Sequence, residues 1–173
     1  TGTTLTLNSA AANSAQGINI AQSGITAVDD SFTNKGTINI YGASTNNGIN
    51  LSVNNGTQAA GTNKINFVNQ GTLNVQLAIG SSSNNAVLRV PGAGTSEGLV
   101  TITNTGILNL ENTQSFTGVT GCPIRIFATA NTPSVAILNT GTGTLTLTGQ
   151  NINFGGNFAK SSIDNSGIII SSS

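Results

Sequence analysis

One short pattern returns along the chain and limits what it can fold into: apolar, x, Asn, x, Gly, x, apolar, x, apolar. It spans Phe32–Ile40, Phe67–Val75 and Ile102–Leu110. A fourth copy opens at Ile137 and reaches Gly141, with two extra residues before Leu145 and Leu147. A degenerate fifth covers Ile163–Ile169. Asn34, Asn69, Asn104 and Asn139 stand 35 residues apart, and the last step, to Asn165, is 26. Between the copies lie further alternating segments: Gly17–Ile20, Gly48–Val53, Ala86–Val90 and Pro123–Ile126. Each unit therefore holds three short strands, for example Thr37–Ile40 on a face A, Gly48–Val53 on a face B and Lys64–Asn69 on a face C. All are short and alternating, rich in β-branched residues, and separated by Gly, Asn, Ser and Thr. No segment has helical periodicity with caps.

The same strand returning at a fixed period is one coil of a solenoid. The expected fold is all-β: a single-stranded parallel β-helix, one domain over residues 1–173, with about five coils of three strands. At ~4.8 Å per coil the rod is on the order of 25 Å tall. Alternation assigns the faces. Leu5, Ile38, Leu73, Leu108 and Leu145 form one inward column, and Leu7, Ile40, Val75, Leu110 and Leu147 the next. Gly36, Gly71, Gly106, Gly141 and Gly167 are expected to turn the bend between faces C and A through positive φ. Asn34, Asn69, Asn104, Asn139 and Asn165 share that bend, where stacked amides can bond along the rod as a structural ladder.

The unit Asn-x-Gly-x-Ile/Leu-x-Ile/Leu resembles the passenger domains of autotransporters and two-partner-secretion adhesins, over nearly the whole chain. The resemblance implies a right-handed β-helix at the cell surface of a Gram-negative bacterium, or secreted from it, with an adhesive or structural role. It also implies that any membrane-spanning translocator lies outside this chain.

Composition narrows the function classes. Charged residues are 6% of the chain and formal net charge is zero, against roughly 25% charged in an average soluble protein. Such a chain has no electrostatic attraction to nucleic acid and little repulsion against self-association. No apolar run approaches the ~18 residues of a membrane-spanning helix, so no membrane insertion by this chain is expected. No signal-peptide opening is present, which fits a mature chain or a fragment of an exported protein. With no His and a lone Cys122, triad chemistry and the usual zinc sites are not expected. Cys122 reads as a small residue in a turn before Pro123. Asp29 and Asp30 are adjacent and would point to opposite faces, which does not build a two-carboxylate site. The expectation is a protein that is not an enzyme and needs no cofactor.

Two faces and the ends remain as candidate surfaces. On face B, Asn19, Asn50, Arg89 and Arg125 point outward, and Arg89 and Arg125 are expected to stack on adjacent coils, either solvated or bridged by an anion, Glu97 or Glu111. On face A, the outward residues include Thr37, Asn39, Thr72, Asn74, Asn109, Thr144 and Thr146, a flat polar array suited to carbohydrate or ice, or simply to solvent. The chain opens on a face A strand, with Leu5 and Leu7, and closes on another, with Ile168 and Ile170. Uncapped ends would stack copies head to tail by strand addition. The leading expectation is a structural extracellular filament subunit or adhesin whose partner is itself or a host or matrix surface. The alternative is a binding module using face A.

Overall fold

The computed structural model describes residues 3–13, 17–22, 27–44, 47–54, 56–57, 59, 61–79, 85–93, 98–114, 122–128, 134–149, 152–156 and 161–172. Among them every regular element is a strand. The first coil is β1 (Thr4–Asn13), β2 (Ile18–Ala21) and β3 (Asp29–Asn34). The second is β4 (Thr37–Ser44), β5 (Ile49–Asn54) and β6 (Lys64–Asn69). The third is β7 (Thr72–Ile79), β8 (Ala86–Ala93) and β9 (Leu99–Asn104). The fourth is β10 (Ile107–Asn112), β11 (Cys122–Ala128) and β12 (Ser134–Asn139). The fifth is β13 (Thr144–Thr148), β14 (Asn153–Gly156) and β15 (Ser161–Asn165), after which β16 (Ile168–Ser172) opens a sixth layer. Every third strand stacks in parallel: β1-β4-β7-β10-β13-β16 form sheet A, β2-β5-β8-β11-β14 sheet B and β3-β6-β9-β12-β15 sheet C. This is a parallel β-helix with three strands per coil.

Alternation within each strand sets the register from coil to coil. On sheet A, Leu5, Ile38, Leu73, Leu108, Leu145 and Ile169 face one another in turn. On sheet C, Phe32 and Phe67 stack with ring centroids 4.9 Å apart and 16° between planes. Ile102, Ile137 and Ile163 continue that column. On sheet B, Leu88 and Ile124 are register partners, as are Val90 and Ile126. These columns meet inside the coil as one apolar core, with Leu73, Phe67 and Ile126 wholly buried. Each such side chain contributes about 1.5–3 kcal/mol by leaving water. A one-residue slip would turn every column outward, so the alternation fixes the stacking.

The bend glycines act differently from the expectation. Gly36, Gly71, Gly106 and Gly167 are not among the described glycines with positive φ, and only Gly141, at 62°, is. Their role is close approach between coils. A Cβ on Gly71 would overlap the carbonyl oxygen of Gly36, and one on Gly106 that of Gly71. Those carbonyls accept from the next coil: Thr72 N–H donates to Gly36 at 2.8 Å and Ile107 N–H to Gly71 at 2.8 Å. In the fourth coil Gly143, not Gly141, occupies this column, and Ile168 N–H donates to its carbonyl at 2.9 Å. The two extra residues are bulged out at Gly141, where a Cβ would meet nothing.

The strands of face A are longer than the repeat suggests. β4 runs on to Ser44 and β7 to Ile79, with Leu77 and Ile79 buried. In the fifth coil β14 pairs with β11 through Arg125–Asn153 and Ile126–Phe154. Residues 157–160 and 150–151 lie outside the described residues.

Candidate functional site

The Asn column is a buried hydrogen-bonded chain. Asn34 Nδ2 donates to Asn69 Oδ1 at 2.8 Å, Asn69 to Asn104 at 2.8 Å, Asn104 to Asn139 at 2.7 Å and Asn139 to Asn165 at 2.8 Å. Each amide nitrogen also donates to the carbonyl that opens the next face A strand: Thr72, Ile107, Thr144 and Ile168. The side chain thus supplies bonds that the bent backbone at the C-to-A corner cannot make with itself. Asn69 and Asn139 are fully buried. From Asn34 to Asn139 the column is buried, and Asn165 at its end is exposed.

The outward face of sheet A carries three parallel columns. Thr4, Thr37, Thr72, Ile107, Thr144 and Ile168 form the first. Thr6, Asn39, Asn74, Asn109, Thr146 and Ile170 form the second. Here a second amide ladder runs in the opposite sense, with Asn109 Nδ2 donating to Asn74 Oδ1 at 2.7 Å and Asn74 Nδ2 to Asn39 Oδ1 at 2.8 Å. The third column, Tyr41, Gln76, Glu111 and Thr148, was not anticipated. It begins directly after Ile40, beyond the last residue of the repeated pattern. The continued apolar alternation at Leu77 and Ile79 is the signal that would have extended the strand. Gln76 Nε2 donates to Glu111 Oε2 at 2.8 Å. Between the second and third columns lies an open groove of about 370 Å³, lined by Tyr41, Asn74, Gln76, Asn109, Glu111 and Thr146, among others.

Arg89 and Arg125 are register partners on sheet B, in line with Asn19 and Asn50. They are on a different face from the Thr/Asn array, so the candidate binding residues form two separate sets. Nor is Arg125 solvated: it is 9% exposed, Asn50 is 5% and Val87 is 0%. The outer side of sheet B is thus covered at Asn50, Val87 and Arg125, while Asn19 in the same column as Asn50 is exposed. Burial, and then the neighbouring charge of Arg125, lower the Arg89 pKa from its usual value. Asn50 Oδ1 accepts a long bond of 3.4 Å from the Arg89 guanidinium. Glu111 is on sheet A, engaged by Gln76, and does not bridge the arginines; Glu97 lies outside the described residues.

The terminal layers divide differently from the expectation. Ile168 and Ile170 continue the outward columns through Thr144 and Thr146, whereas Ile169 continues the core column through Leu145. Leu5 is 50% exposed, Ile168 58%, Ile169 39% and Ile170 49%, while Leu7 packs against the core. At the first coil Asp30 takes a position in line with the core residues Ile65 and Val100, and it accepts from buried Gln22 at 3.1 Å. Asp29, its neighbour, is exposed and opposite in register to Lys64.

Cys122 is the first residue of β11 rather than a turn residue, is buried, and is paired in register with Ala86. Burial pushes its thiol pKa up, against a smaller opposing effect of Arg125. No family model, curated protein or solved structure matches the chain.

Proposed function

We propose that this chain is a non-enzymatic structural β-solenoid, part of an extracellular shaft of the autotransporter or two-partner-secretion adhesin kind, whose end layers associate with further coils or with copies of itself. The observation that carries the reading is the stack itself: three parallel sheets, coil on coil, around one apolar core and a buried amide chain. Exposed isoleucines on sheet A, Ile169 among them, add apolar surface for contact between copies. Near-zero net charge removes the repulsion that would oppose such contact. The coil interior gives stiffness, because each layer bonds to the next through three sheets and an amide chain.

Negative-stain electron microscopy and light scattering of the purified chain at rising concentration test this. Uniform rods longer than one subunit are expected, and Ile169→Lys is expected to shorten them. A monomer that persists at every concentration would sink the self-assembling part of the proposal.

A further inference from the structure

We infer that the groove on sheet A is a binding site for a linear, neutral glycan laid along the rod axis. The inference is independent of the shaft reading, since the groove lies on the side of the rod and its residues belong to inner coils.

Three features of the groove converge on that ligand. The first is chemistry. Asn74, Gln76, Asn109, Glu111 and Thr146 surround it with amide, carboxylate and hydroxyl groups, a mixture that donates to and accepts from sugar hydroxyls. Tyr41 adds an aromatic ring with a polar tip, the side chain that packs on the C–H face of a pyranose.

The second is order. The polar groups are held before any ligand arrives. Asn109 and Asn74 are fixed by the ladder at 2.7 and 2.8 Å, and Glu111 is fixed by Gln76 at 2.8 Å. Groups already placed lose little entropy on binding.

The third is repeat. The lining residues come from β4, β7, β10 and β13, at successive coils. Equivalent groups therefore recur at the strand spacing of ~4.8 Å, close to the length of one sugar ring in an extended chain. A groove crossing four strands spans about three such steps.

Charge selects among glycans. Among the described lining residues, Glu111 is the one carboxylate. It accepts from vicinal hydroxyls and repels uronate or sulfate groups. The arginine pair that would attract anionic sugars is on sheet B, away from this face.

The test uses the intact chain in titrations with cello-, manno- and chito-oligosaccharides of two to six units, and polygalacturonate and heparin for comparison. At least one neutral series is expected to bind, with affinity rising to about four units and then levelling, as the number of coils crossed implies. Tyr41→Ala and Glu111→Gln are each expected to weaken binding about tenfold or more, about the effect of losing one good contact. Thr33→Ala, exposed on sheet C, is expected to change nothing. Circular dichroism of each variant checks that the coil is retained. Should a Tyr41 variant unfold, Gln76→Ala, at an exposed position, serves in its place. The inference is overturned if none of the three neutral series binds, if the anionic polymers bind more tightly, or if the groove variants bind as well as the parent.

Discussion

A single methyl group distinguishes two roles for glycine at the C-to-A corner. Gly71→Ala puts a carbon against the Gly36 carbonyl, which accepts an inter-coil bond and cannot withdraw without breaking it. The expected cost is about 3 kcal/mol or more, the upper range for overpacking. Gly141→Ala meets open space and bears only the left-handed backbone, costing about 1–2 kcal/mol. Denaturation midpoints of the two variants decide this, and equal losses would contradict the close-approach account. The pattern Asn-x-Gly marks the correct residue at four corners, Gly36, Gly71, Gly106 and Gly167, and the wrong one at Gly141. Gly141 keeps its distance from Asn139 along the chain, but the bulge moves the tight contact to Gly143. Spacing reports sequence distance, whereas the constraint is the separation between backbones of neighbouring coils.

At the level of strands and columns, the repeat carries most of the information. Coil period, face assignment and both inward columns of sheet A follow from alternation alone, because a half-buried strand must alternate. Strand length does not follow, since Tyr41 and Gly42 interrupt the apolar pattern just where β4 continues. The third outward column, and with it the groove, was hidden for that reason. The burial of Arg125 was equally illegible, because alternation separates the two sides of a strand but does not say whether the outer side meets solvent. The Asn column gives the test suited to this scale. Asn104→Ala removes a donor to Asn139 and to the Thr144 carbonyl and an acceptor for Asn69, all at a buried corner. Each buried polar group left unsatisfied costs about 1–3 kcal/mol, so a loss of about 3 kcal/mol or more is expected. Asn165→Ala, at the exposed end of the column, is expected to lose less than about 1 kcal/mol. Urea denaturation of both, at unchanged m-value, makes the comparison.

For the molecule as a whole, stability is a sum over neighbouring coils, so the middle is held from two sides and each end from one. Amide exchange is therefore expected to be slowest in β7 and β10 and fastest in Thr4–Thr6 of β1 and in β16, where the described side chains are exposed. Uniform exchange along the rod would mean that the coils open together. The stacking of sheet A has a further consequence. Its strands are paired in register from coil to coil, so Tyr41, Gln76, Glu111 and Thr148 lie along one side of the rod like the teeth of a rack. Whatever engages one tooth meets the next at the spacing of a single strand, ~4.8 Å, and a ligand of that pitch gains a contact with each coil it crosses.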